Sequence, residues 1–412
     1  MKIIGSRGWW RRVLLFVAVA GPGIITSNVD NDAGGIATYS IAGADFGYTL
    51  LWSLIPIMAA LVIVQEMSAR MGAVTGKGLS DLIRERFGVR ITVYLLFGVV
   101  VTNFGNVIAE FAGVASSLEI FHISRFISVP FAAVLVWLLV VKGTYRSVEK
   151  VFLYACLFYI TYVISGFLAE PDWKEIGRSL LRPEIDLSGA RLGMLVALVG
   201  TTIAPWMQFY LQAAVVEKNI SAKDFAMSRL DVVVGSLVVT VVAAFIVLTC
   251  ASTLHRAGVR IETAADAAQA LAPLAGEYCS VLFAFGLLNA SLFAASILPL
   301  STAFLVCEGM GWEVGVNKKF IEAPQFYGLY SLLIFLGAAV VLLPGVPLFP
   351  VMYLSQVVNG LVLPVILIFM LILVNDKKLM GNHTNGRTYN ALSWIMGISL
   401  AALSLMYLYT LL

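Results

Sequence analysis

Apolar stretches long enough to cross a bilayer recur eleven times along the chain, separated by short polar or charged segments. They fall at 13–41, 47–72, 92–118, 125–141, 148–168, 191–216, 231–252, 277–308, 325–344, 348–375 and 388–411. The pattern predicts an all-α polytopic membrane protein with eleven transmembrane helices, a single integral membrane domain over 1–412. Between the second and third spans, TGKGLSDLIRERFG predicts a short amphipathic helix at the inner surface. ETAADAAQALAPLAG (262–276) predicts another on the outer side.

Two spans are interrupted. In the first, SNVDNDAGGIATYS (27–40) sets Asp30 and Asp32 beside a Gly-Gly pair that a continuous helix does not favour. In the sixth, VGTTIAPWMQ contains Pro205, which removes a backbone donor, after Gly200, Thr201 and Thr202, which weaken the preceding turn. A membrane helix loses its hydrogen-bond ladder only where protein or a water-filled cavity satisfies the freed groups. The breaks fall in the first spans of two five-span blocks, about 13–168 and 191–375, followed by an extra helix at 388–411. Pro205 alone also fits an ordinary kink. Matching breaks in two halves point instead to an inverted-repeat transporter with its site at the midplane.

Composition closes off the soluble classes: of 412 residues, 60% are hydrophobic and 12% charged, with a mean hydropathy of +0.92. The net charge of +3 matters less than its placement. Twenty of the 27 Lys and Arg residues fall on one predicted side and seven on the other. By the positive-inside rule this places the N-terminus in the cytoplasm and the C-terminus outside, in a cytoplasmic membrane. The basic, Trp-containing lead MKIIGSRGWWRR reads as an interfacial anchor, not a cleavable signal peptide. Cys156, Cys250, Cys279 and Cys307 are dispersed, without metal or disulfide spacing, and His122, His255 and His383 lie at span ends or in loops. No catalytic grouping appears, so an enzyme, a bound cofactor, a nucleic-acid partner and an obligatory protein partner are not expected. The lipid bilayer is the partner the pattern requires.

This topology leaves no Lys or Arg mid-membrane to pair with the first-span carboxylates. An unpaired Asp at the bilayer centre costs about 2.5–3.5 kcal/mol, so Asp30 and Asp32 need a reason. Hard oxygen ligands suit Mg²⁺, Mn²⁺ or Ca²⁺. The structural alternative is a carboxylate protonated or bonded to freed backbone amides. Asn28, Asn31, Asp32 and Gly35 could share one side of the turn while Asp30 points elsewhere, which makes Asp32 the better ligand. Asp45, Glu66 and Glu308 are expected at span ends, in solvated, capping or interfacial positions.

GPGIITSNVDNDAGGIATYSIAGADFGYTLLW resembles the first-helix signature of the Nramp (natural resistance-associated macrophage protein) divalent metal transporters. The resemblance continues in RMGAVTGKGLSDLIRERFG, AEFAGVA, YLQAAVV and SQVVNGLVLPVILIF, and so covers most of the chain. It implies an eleven-helix LeuT-type fold with broken helices 1 and 6, and divalent cation transport by alternating access.

The sequence departs from that family at the metal site. The family's D-P-G-N aligns with Asp32-Ala33-Gly34-Gly35, so the Asp stays and the coordinating Asn becomes Gly35. The family's A-x-x-M-P-H aligns with Thr201 to Trp206, so its Met becomes Ala204 and its His becomes Trp206. Thr201 would still offer its carbonyl, and Gln356 matches the family's Gln that approaches the metal. The D-x-x-E of the third span aligns with Val107 to Glu110, which keeps only Glu110. Losing the thioether removes discrimination against Mg²⁺. Gly and Ala also widen the site for an ion that keeps several waters. The set resembles the Nramp-related magnesium transporter branch, with Mn²⁺ also carried. Without the His and Asp, transport without obligatory proton coupling is expected. An inside-negative potential supplies about 4.6 kcal/mol per 100 mV for two charges.

Competing expectations are a proton-coupled Mn²⁺ transporter using Glu110 and Asp30, and a Na⁺-coupled amino-acid symporter on the same scaffold. The symporter is disfavoured because Asp30 and Asp32 would repel a substrate carboxylate. A metal sensor that has lost transport is the remaining class.

Overall fold

The computed structural model describes residue 29 and residues 31–142, 160–184, 186–223, 225–316 and 318–412. Asn28, Asp30 and Cys156 therefore lie outside the described residues, as do most of the predicted first span and the first half of the fifth. The described residues are almost entirely helical. We label the helices α1 (Ala33–Phe46), α2 (Leu54–Thr75), α3 (Leu79–Phe87), α4 (Val89–Glu119), α5 (Arg125–Val141), α6 (Ile160–Leu168) and α7 (Trp173–Leu181). There follow α8 (Gly189–Thr202), α9 (Pro205–Glu217), α10 (Phe225–Cys250), α11 (Cys279–Met310), α12 (Pro324–Val341), α13 (Leu348–Val374) and α14 (Arg387–Thr410).

Eight helical segments among the described residues are long and apolar enough to cross a membrane. The apolar α5 is shorter, and α1 and α6 lie within the first and fifth predicted spans. Each span from the second onward thus meets a helix. The TGKGLSDLIRERFG stretch forms α3, which buries Leu79, Leu82 and Ile83 and turns Glu85 and Arg86 outward. The 262–276 stretch breaks into short turns opened by a Thr263–Asp266 capping box.

At the centre α4 packs along α11, and α13 packs along α4 and α8. The α8–α13 crossing is close because both helices present glycine there. A Cβ on Gly200 would sit 2.0 Å from the Gln356 carbonyl oxygen, and one on Gly360 would sit 2.2 Å from that of Val196. Backbone cannot swing aside as a side chain does. Gly200→Ala is therefore expected to destabilise the protein by about 1–3 kcal/mol, read as an earlier thermal unfolding transition in detergent. An unchanged transition would mean that the crossing is looser than described.

Two charge expectations are corrected here. Arg70, counted among the twenty Lys and Arg residues on the predicted inner side, is not in a surface loop: α2 runs on to Thr75, and Arg70 is 9% exposed within it. Glu66 is neither solvated nor capping. It pairs with Arg70 at 3.2 Å, one turn away, and accepts from Tyr389 Oη at 2.8 Å. Arg70 also donates to the His383 carbonyl at 2.9 Å and to Asn385. A buried pair persists when hydrogen bonds offset its desolvation, and here the loop before α14 meets both Arg70 Nη atoms, while Nε has no partner among the described residues. The network ties the last helix, which buries only Ser393, Gly397 and Ser404, to α2.

Candidate metal centre

Asp32 opens α1. Its backbone is extended, its carbonyl accepts the first helical bond from Ile36 N at 2.9 Å, and its Oδ1 accepts from Gly35 N at 2.7 Å. That is an N-cap, the position where a short acidic side chain replaces a missing intrahelical acceptor. Glu110, in the middle of α4, reaches the same turn and accepts from Ala33 N through Oε2 at 3.3 Å. Two of the orphan N–H groups of α1 are thus met by carboxylates, and the helix dipole favours both negative charges.

The structural alternative for Asp32 is therefore realised in part, since one carboxylate oxygen serves the cap. It does not account for the pair. Asp32 is 6% and Glu110 0% exposed, both carboxylates accept from N–H groups of the same first turn of α1, and Glu110 Oε1 meets no donor among the described residues. Two adjacent buried carboxylates need a cation or a proton between them.

Gln356 closes the other side of the turn. Its amide lies over Gly34, where a Cβ would sit 1.8 Å from Nε2. The orientation is fixed by neighbours that the sequence reading did not identify. Asn359 donates to Gln356 Oε1 at 2.9 Å and exchanges hydrogen bonds with Asn106 of α4 at 3.0 and 3.1 Å. The available signal was a polar side chain three residues after Gln356, and another four residues before Glu110, each inside an apolar span.

The second break is as expected. Helix α8 ends at Thr202, Ile203 and Ala204 leave helical geometry, and Pro205 starts α9 at its first position. Because Pro205 has no N–H, the Thr201 carbonyl loses its i+4 donor. The Thr201 hydroxyl is also buried without a partner among the described residues. The two breaks meet: Tyr39 Oη of α1 hydrogen-bonds Thr202 Oγ1 at 2.8 Å, and Gly200 lies against the backbone of Gln356.

Among the predicted site residues, the structure brings Asp32, Gly35, Glu110 and Gln356 to the first turn of α1, and Thr201 sits between Gly200, which meets Gln356, and Thr202, which meets Tyr39 of α1. Ala204 is buried at the lip of the second break and contributes only a methyl group. Trp206 is buried in the first turn of α9 beside Tyr210, with its carbonyl accepting from Ser301 at 3.3 Å. Asn31 is buried next to Asp32. Val107, where the resemblance places an Asp, lies against Gly337 of α12. Asn28 and Asp30 remain outside the described residues. The assembled oxygen ligands are two carboxylates and the carbonyl freed by Pro205, without sulfur or imidazole, which suits a hard divalent cation; the Gln356 amide turns its Nε2 to Gly34 and its Oε1 to Asn359.

The chain is similar in sequence and fold to known transporters. A divalent metal cation transporter MntH of Deinococcus radiodurans is 27% identical, across 97% of this chain and 90% of its own length. MntH 1 of Pseudomonas aeruginosa is 30% identical, across 96% of this chain and 92% of its own. The solved manganese transporter of Eremococcus coleocola superposes with a TM-score of 0.77 at 21% identity, covering 98% of this chain and 88% of that one. Mhp1, a nucleobase-cation-symport-1 family transporter, shares the fold with a TM-score of 0.59 at 13% identity, covering 95% of this chain and 92% of that one. The family model described as natural resistance-associated macrophage protein-like matches residues 23–410. Since that match spans nearly the whole sequence, the chain belongs to the Nramp family.

Proposed function

We propose that this protein carries divalent metal cations across the cytoplasmic membrane by alternating access. In this reading Mg²⁺ is the preferred substrate, Mn²⁺ is also carried, and protons are not obligatorily coupled. The observation that carries it is the Asp32–Glu110 pair at the broken first helix, facing a second break that offers the Thr201 carbonyl and only the Ala204 methyl. A site with two carboxylates, one freed carbonyl and no thioether ranks cations by charge and hydration, which leaves Mg²⁺ competitive. The names of the MntH relatives support the divalent-cation part. The preference for Mg²⁺ rests on Gly35 and Ala204. The Lys and Arg bias supports a cytoplasmic N-terminus, with the repeats at about 13–168 and 191–375 rocking about the site.

Glu110 favours a second reading, because a carboxyl beside the metal ligand can pass a proton as the metal leaves. Purified protein in liposomes loaded with a pH-sensitive dye separates the two. Metal influx driven by an inside-negative potential without lumenal acidification is the expected result. Acidification in step with Mn²⁺ entry would establish the proton-coupled Mn²⁺ transporter instead.

A further inference from the structure

Glu308, expected at an interface, is 7% exposed in the last full turn of α11, and its Oε2 receives no hydrogen bond from any described residue. The reason is the docking of α3 against α11. The carboxylate rests on Gly78, the residue that caps α3, where a Cβ would sit 2.0 Å from Oε2 and 2.4 Å from Oε1. The positive end of α3 suits an anion there, yet a capping carboxylate takes N–H bonds and this oxygen takes none. Arg84 reaches the same turn through the Gly309 carbonyl at 3.5 Å, but its guanidinium is held by Asp81 at 3.1 Å.

Two further acceptors stand around the same turn. Gln212 of α9 donates Nε2 to the Lys77 carbonyl at 2.9 Å, which leaves its Oε1 fully buried without a donor among the described residues. The Ser80 hydroxyl, in the first turn of α3, is likewise buried and unpartnered. Asp81 and Glu217 add like charge. Buried acceptors left unmet each cost about 1–3 kcal/mol, so an arrangement with several calls for something positive. The place is also connected to the metal centre. Helix α9 begins at the second break, presents Gln208 with both amide atoms buried and unmet among the described residues, and reaches Gln212 one turn later. At 1.5 Å per residue Gln212 lies about 12 Å from Ala204 along α9.

We propose that Glu308, Gln212 Oε1 and Ser80 Oγ form a second divalent-cation station, between the Asp32 site and the Lys- and Arg-rich face. The inference rests on the transport reading for its role, though not for its chemistry. Among the described residues no three His, Cys, Asp or Glu side chains gather as a chelating group. The station therefore takes the ion through one carboxylate and neutral oxygens, with much of its water shell kept, as Mg²⁺ commonly binds. Weak, hydrated binding is what an exit step requires, since an ion must leave as readily as it arrives.

The test uses the full-length protein and Mn²⁺ as probe. Crystals soaked in Mn²⁺ should show an anomalous peak beside Glu308 in the wild type and none in Glu308→Gln. In liposomes Glu308→Gln should lower maximal Mn²⁺ flux about tenfold, while equilibrium Mn²⁺ binding at the Asp32 site is unchanged. Gln212→Leu leaves every charge in place and should lower flux in the same direction, which keeps the test decisive if the Glu308 variant misfolds. No peak beside Glu308 in the wild type, or wild-type flux in a folded variant, would overturn the station. Wild-type protein that shows the peak but carries no metal would overturn the transport reading and leave the station standing.

Discussion

Asp32→Ala is expected to abolish Mn²⁺ and Mg²⁺ uptake in liposomes, and Asp32→Asn to do the same while leaving the fold intact. The pair of variants is needed because Asp32 has two jobs. As N-cap of α1 it accepts from Gly35 N at 2.7 Å, and losing that bond costs about 1 kcal/mol. Asn caps helices as well as Asp, so the second variant keeps the cap and removes only the charge. If the carboxylate holds the cation, Asp32→Asn melts like the wild type and transports nothing. Transport by Asp32→Asn at the wild-type rate would mean that the carboxylate is there only to cap the helix.

The second large effect concerns selectivity. Gly35→Asn combined with Ala204→Met is expected to shift preference toward Mn²⁺ over Mg²⁺ by about tenfold or more, the equivalent of about 1.4 kcal/mol. A thioether adds a soft donor that Mg²⁺ does not use, and an added amide gives Mn²⁺ one more ligand in place of water. The backbone accepts both changes. Gly35 is helical, and Ala204 has the extended geometry of a cap, φ −62° and ψ 140°. Space is the cost, since Ala204 is 3% exposed and overpacking a core takes about 1–3 kcal/mol. Competition of Mg²⁺ against Mn²⁺ uptake measures the shift. A folded double variant with unaltered competition would show that Gly35 and Ala204 do not set selectivity.

The breaks were legible because their causes are local. Pro205 cannot donate, and an acidic residue followed by small ones opens a helix, so both interruptions follow from residue type. The route to Asp32 and Gln356 ran through the resemblance; the structure sets Gln356 against Gly34. Features that depend on which face of an apolar helix turns inward were not legible. Helix α11 is apolar on all sides, so nothing in its periodicity says that Glu308 faces α3 and not the interface. The Arg70–Glu66 pair lies at the end of the second predicted span, 47–72, and was missed because its burial depends on distant packing. Its partners, His383, Asn385 and Tyr389, lie more than three hundred residues away. Asn106 and Asn359 were visible as polar intrusions, yet only the packing of α4 on α13 makes them a pair.

The most direct test of the account is saturable uptake of Mg²⁺ by the purified protein in liposomes, with Mn²⁺ and Ca²⁺ as competitors. Uptake of Mg²⁺ that saturates, is suppressed by Mn²⁺ and disappears in Asp32→Asn is the predicted result. Uptake of Mn²⁺ with no measurable Mg²⁺ entry, and no inhibition by excess Mg²⁺, would contradict it.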